Sequence, residues 1–307
     1  MQGLVIKTTG TAYLVQPDES TLPPVTCQIK GNFRIRGIRS TNPAAVGDRV
    51  EVEQLPDGTN WLTDILPRRN YIIRRSTNLS KQVHILAANI DQAVLLVTVA
   101  HPATSTTFID RFLATAEAYR IPAVLMFNKI DLLTSEQQAT LQELQQLYQS
   151  LGYQTPAISA TNLDTSTVLP LFENRITLLS GNSGVGKSTL LNAVLGQEVT
   201  RTAVLSTAHD AGMHTTTFSR MYPIANGWII DTPGIKGFGS VEMEKEEIGH
   251  YFREIWEVSQ SCRYSNCLHT GEPGCAVIPA VEQGRIALSR YDSYLSLLGD
   301  CTQNKYR

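Results

Sequence analysis

Three patterns predict a multidomain α+β protein. Short β-patterned runs fill the first seventy residues, continuous apolar runs alternate with helical patterns from about 83 to 231, and helical stretches after 240 flank a cluster of cysteines. With 307 residues, two or three domains are expected, and 42% hydrophobic against 18% charged residues is enough to bury cores. The expected divisions are 1–72, 73–240 and 241–307. The opening MQGLVIKTTG is too broken by polar residues and glycine for a signal peptide, and AVLLVTVA at 93–100 is too short to span a bilayer, so the expectation is a cytoplasmic protein without membrane contact.

In the first segment GLVIKTTGTAYLVQ, VTCQIK, FRIRGI, DRVEVEQL and NWLTDIL are separated by turn signals such as PDES, NPAAVGD and PDGTN. Strands of that length and spacing predict a small antiparallel barrel or sandwich. Residues 1–82 carry eleven Lys or Arg against seven Asp or Glu, net +4, leaving −6 for the rest of a chain whose net charge is −2. Tyr13, Phe33 and Trp61 lie among these cations. Two readings stand: an RNA-binding face, or core aromatics beneath a solvated basic surface.

The middle segment changes period. AVLLVTVA is apolar throughout, as a strand covered on both faces must be, and TFIDRFLATAEAYR then places Ile109, Phe112, Leu113 and Ala116 at helical spacing. IPAVLMFN reads as a strand, and SEQQATLQELQQLYQSLG as a helix with Ser135 as N-cap and Gly152 at its stop. TPAISAT is strand-like and NLDTSTVLPLFEN linker-like, before strand RITLLS, helix KSTLLNAVLG and strand GWIID. The pattern is that of a doubly wound α/β domain.

GNSGVGKS at 181–188, strand before and helix after, fits the phosphate-binding pattern G-x-x-x-x-G-K-[ST]. Gly181, Gly184 and Gly186 let backbone N–H groups close around phosphates, with Asn182, Ser183 and Val185 between them. Lys187 supplies charge to the β and γ groups, Ser188 can ligate Mg²⁺, and Thr189 is a further nucleotide-binding candidate. Asp231 in IIDTPG is placed to hold the metal through water, and Gly234 to donate its N–H to a γ-phosphate.

MFNKID at 126–131 names the base. Guanine presents N1–H and N2–H₂ side by side, and the acceptor-only carboxylate of Asp131 can take both. Asn128 would brace the loop at N7 and the phosphate-loop backbone, the stem of Lys129 would cover the base, and Ser159 and Ala160 in ISAT would bring an N–H near O6. Such a site rejects a base lacking those groups by about 10⁴ or more, so GTP rather than ATP is expected. The guanine motif precedes the phosphate loop instead of following it, which makes the domain a circular permutation.

Cys262, Cys267, His269 and Cys275 are spaced C-x₄-C-x-H-x₅-C with Gly271, Pro273 and Gly274 to turn the chain. Four protein ligands leave no open position, which suits a structural Zn²⁺. Cys27 and Cys301 are expected to be unpaired.

The motif order, the N-terminal barrel and CRYSNCLHTGEPGC together resemble the RsgA family of circularly permuted GTPases over essentially the whole chain. The resemblance implies an OB-fold barrel, a permuted GTPase domain and a C-terminal helical zinc domain. It further implies GTP hydrolysis to GDP stimulated by the 30S subunit during late maturation, contact with 16S rRNA, and a monomer. In that light TAHDAGMHTTTFSR holds switch I, with Thr215 and Thr216 both candidates for sensing Mg²⁺ and the γ-phosphate. Ile235 follows D-x-x-G where a water-orienting glutamine would stand, and His214, in a stretch resembling the family's G-x-H-T-T, is the candidate for positioning water. The rival readings are a non-enzymatic nucleotide-binding RNA module and a P-loop ATPase.

Overall fold

A computed structural model describes residues 1–9, 12–19, 21–29, 43–75, 83–198, 219–231 and 243–303. Alternation in the first segment becomes β1 (Gln2–Thr8), β2 (Ala12–Pro17), β3 (Val25–Ile29), β4 (Arg49–Gln54) and β5 (Asn60–Ile65). β1 pairs with β2 and β4, β2 with β3, β3 with β5 and β5 with β4, so the five strands close on themselves. Closure pairs every strand on both sides, though β4 covers only Gln2–Leu4 of β1 and leaves its Lys7 end to another partner. Val5, Tyr13, Val15, Cys27, Val50, Val52 and Leu62 fill the interior. Tyr13 is therefore a core aromatic, as the second of the two readings has it, whereas Trp61 is half-buried. FRIRGI and Phe33 lie outside the described residues.

The hairpin β6 (Tyr71–Arg75) and β7 (Val83–Ala88) leads to β8 (Gln92–Val97), buried along its length as the apolar run from residue 93 to 97 requires. Then follow α1 (Thr106–Ala118), β9 (Ala123–Phe127), α2 (Ser135–Ser150), α3 (Leu169–Phe172), β10 (Ile176–Ser180), α4 (Lys187–Leu195), β11 (Arg220–Ile224) and β12 (Gly227–Asp231). After these come α5 (Lys245–Ile248), α6 (Arg253–Ser259), α7 (Val277–Glu282) and α8 (Leu288–Gln303).

Several elements differ from expectation. Ser135 is the first residue of α2, not its cap: Thr134 accepts the Gln137 N–H, and the Gln137 side chain answers at the Thr134 N–H, a reciprocal box. TPAISAT forms no strand: it makes one isolated parallel bridge to β9, Phe127 with Ala157, and Gln154 just before it makes another, with Val124. NLDTSTVLPLFEN is more than a linker, since it holds a 3₁₀ turn and α3 and buries Phe172. The two stretches flanking the cysteines break in the middle, one at a 3₁₀ turn over Gly249–Tyr251 and the other at Gly284, whose φ is 70°.

The chain forms two compact units, Met1–Val94, Ala160–Ser180 and Gly186–Ser240 in one, Leu95–Ser159, Gly181–Val185 and Val241–Arg307 in the other. In the first, β11 and β12 form a hairpin, β12 runs parallel to β10, and the barrel joins them where Lys7 of β1 stands opposite Arg220 of β11. In the second, Ala114 of α1 shares a core with Ile248, Phe252, Ile255, Val277, Ala280 and Tyr294. No helix among the described residues is long and apolar enough to cross a membrane.

Candidate nucleotide site and metal centre

The phosphate loop leaves β10 at Ser180 and re-enters helix at Lys187. Gly181 has φ 147°, and a Cβ there would stand 2.5 Å from the Leu96 carbonyl oxygen. Gly186, at φ 100°, is the left-handed residue that opens α4. Neither position admits a side chain without strain. Val185 is buried, Ser183 and Gly184 are exposed, and Asn182, Ser188 and Thr189 are intermediate. The loop thus turns backbone outward at the head of a helix, where N–H groups and the helix dipole favour an anion.

Lys187 and Asp231 interact within the first unit. Burial lowers the lysine's pKa and the aspartate's charge pulls it back up; burial raises that of Asp231 and Lys187 lowers it. The carboxylate at the end of β12 and the Ser188 hydroxyl at the start of α4 are hard oxygen donors of the kind Mg²⁺ takes.

In the second unit β9 delivers the guanine motif. Asn128, 3% exposed, donates its backbone N–H to the Val97 carbonyl at 2.8 Å and its Nδ2 to the Val185 carbonyl at 2.8 Å. One amide therefore ties the motif to the phosphate loop. Lys129 takes a left-handed backbone, φ 63°, and its Nζ donates to the His101 carbonyl at 2.5 Å. Asp131 lies exposed in the 3₁₀ turn Ile130–Leu132. Ser159 is half-buried, and Ala160, buried, begins the 3₁₀ turn Ala160–Asn162 of the first unit. His214, Thr215, Thr216 and Gly234 lie outside the described residues.

The four predicted metal ligands come together: one ligand atom from each of Cys262, Cys267, His269 and Cys275 falls within 4.8 Å of the others. Nδ1 of His269 is 3.7 Å from Sγ of Cys262 and 3.6 Å from Sγ of Cys275. A tetrahedral zinc with Zn–S about 2.3 Å and Zn–N about 2.0 Å requires an edge of about 3.5 Å, so the residues fit the ion. Burial, with Cys275 and Cys262 alongside, pushes the Cys267 thiol up to about 12, so thiolates this close need a cation. Burial lowers the His269 pKa, which keeps the ring neutral as a ligand must be.

Sequence reasoning passed over what supports these ligands. Glu272 accepts from the N–H groups of Leu268 (2.9 Å), Thr270 (2.8 Å) and Gly271 (3.2 Å), turning the chain between Cys267 and Cys275. Tyr291 and Tyr294 of α8 donate their hydroxyls, each at 2.6 Å, to the carbonyls of His269 and Leu268. The signal present was a carboxylate set between glycine and proline in a cysteine loop, G-E-P-G.

A phosphate loop at a helix start, and a guanine motif that precedes it in sequence while bonding to it, define a circularly permuted GTPase. The chain matches the RsgA GTPase family model over residues 65–241 and the RsgA N-terminal domain over 2–62. It belongs to the RsgA family. It is 56% identical over 309 residues to the small ribosomal subunit biogenesis GTPase RsgA of Bacteroides fragilis (strain YCH46), and 55% identical to that of Phocaeicola vulgatus, covering all of this chain and 99% of each relative. Among solved structures it resembles YjeQ from Thermotoga maritima, with TM-score 0.78, 31% identity and 98% of both chains covered. It also resembles YloQ, described as a circularly permuted GTPase, with TM-score 0.76, 28% identity and coverage of 100% and 96%.

Proposed function

We propose that this GTPase acts in the cytoplasm on the maturing small (30S) ribosomal subunit, binds 16S rRNA as a monomer, and is stimulated by the subunit to hydrolyse GTP. The bond from Asn128 Nδ2 to the Val185 carbonyl carries the nucleotide reading, because it couples the base-reading and phosphate-holding loops in one unit. The names of the relatives, small ribosomal subunit biogenesis GTPases, support the choice of partner.

In this reading Asp131 accepts guanine N1–H and N2–H₂, Ser159 and Ala160 present an N–H to O6, and Lys129 covers the base. The 181–186 backbone with Asn182 and Ser183 wraps the phosphates, and Lys187 neutralises the β and γ oxygens. Ser188 and Asp231 hold Mg²⁺, which draws charge from the β–γ bridge when bound. Gly234 and Thr215 or Thr216 sense the γ-phosphate, and His214 orients water for in-line attack: a bond forms from water oxygen to phosphorus as the bridging P–O bond breaks. Cys262, Cys267, His269 and Cys275 hold a structural zinc. The working modules are 1–72, 73–240 and 241–307. Phosphate release is measured with and without 30S subunits, alongside cosedimentation in GDP and in a non-hydrolysable GTP analogue. Turnover that ignores the subunit, with sedimentation that ignores the nucleotide, defeats the proposal.

A further inference from the structure

The segment between β8 and α1, residues 98–105, matched no motif, yet it stands against both nucleotide-binding loops of the second unit. Thr98, 2% exposed, closes it: its Oγ1 donates to the Pro102 carbonyl at 2.5 Å. Its N–H donates to Thr104 Oγ1 at 3.1 Å, and its carbonyl receives the Thr104 N–H at 2.9 Å. The turn so fixed carries the His101 carbonyl that accepts the Lys129 ammonium, and the Pro102 ring, whose Cδ is 3.4 Å from where a Cβ on Gly184 would lie. The preceding residue, Val97, accepts the Asn128 N–H.

We infer that Thr98 is a positioning residue for guanine nucleotide, acting through the His101 carbonyl on Lys129; the inference rests on the proposed role of Lys129 at the base. A lysine stem covers a base only if its ammonium is anchored beyond it, since a free lysine side chain loses close to its full rotamer entropy on being ordered. The left-handed backbone of Lys129 aims the chain, and the His101 carbonyl supplies the anchor. That carbonyl is one residue from the atom Thr98 holds. Thr98 is buried, so it acts on the nucleotide without touching it.

The test uses the full chain and fluorescent GDP and GTP analogues with Mg²⁺, comparing Thr98→Val, Thr98→Ser, Lys129→Ala and the double variant Thr98→Val with Lys129→Ala. Thr98→Val keeps the shape and loses the hydroxyl, and should raise Kd for both nucleotides roughly five- to tenfold, the effect of one lost buried hydrogen bond. Thr98→Ser should stay within about twofold of the native chain. In the Lys129→Ala background Thr98→Val should cost less than about twofold more, because a positioning residue has nothing left to position. An unchanged Kd in Thr98→Val, or a full loss persisting without Lys129, overturns the inference while leaving the base reading intact. Lys129→Ala binding like the native chain overturns the base reading itself. Should Thr98→Val fail to fold, Thr104→Ala, which removes the acceptor of the Thr98 N–H, carries the same expectations.

Discussion

Nη1 of Arg290 in α8 donates to Oδ1 of Asp110 in α1 at 2.8 Å across 180 residues of sequence, with the two side chains 1% and 0% exposed. Glu254 of α6 completes the guanidinium's shell at 2.6 Å, and the Tyr148 hydroxyl donates to the same Asp110 oxygen at 2.8 Å. The charges bolt α8, which bears Tyr291 and Tyr294, onto α1.

Asp110→Ala leaves that guanidinium short of charge in the interior and should destabilise the fold by about 3–5 kcal/mol in denaturant titration. Replacing Asp110 and Arg290 together by Leu and Met should recover much of the loss. A double variant as unstable as the single one would show that shape, not charge, is what the pair provides.

Asp131→Asn should weaken GTP and favour xanthosine triphosphate, because the amide offers a donor to the carbonyl at the 2-position of xanthine. Competition between the two triphosphates measures it. A variant that keeps a strong preference for GTP refutes Asp131 as the base reader.

Asp231→Asn removes the charge that sustains the Lys187 ammonium against burial, and in the proposed site it also takes the carboxylate from Mg²⁺. Turnover should fall roughly 10²–10³-fold and its dependence on Mg²⁺ should flatten. A steady-state assay across Mg²⁺ concentrations checks both.

Cys267→Ser, or strong chelation, should release one zinc in elemental analysis. Loss of hydrogen-exchange protection should be confined to about residues 261–276, because α6, α7 and α8 keep their shared core with α1. Collapse of α8 as well would mean that the core depends on the metal.

The phosphate loop and the cysteine cluster were legible because their chemistry is local: glycines where φ must be positive, and ligands within fourteen residues. The cap of α2 was missed by one residue because Thr134 and Ser135 are both good caps and each has a glutamine three residues on, Gln137 and Gln138, so the sequence does not separate them. Asp110 and Arg290 were illegible for the opposite reason. Each is a charge in a helix, which pattern alone assigns to the solvated face, and the partner that makes its burial tolerable lies far along the chain. The 98–105 turn left no motif because it acts through two carbonyls, which every residue possesses.

The pairing of Lys7 with Arg220 has a consequence for synthesis. β1 is made before every other strand of the barrel, and the five strands that close the barrel end at Ile65. Its partner β11 emerges some two hundred residues later, about 10–40 s at 5–20 residues per second. For that interval the Lys7 end of β1 offers a bare backbone edge of the kind that captures stray strands, and it does so on an otherwise finished barrel. β11, whose register is held by five pairs to β12 and one to β1, therefore arrives at a barrel already built.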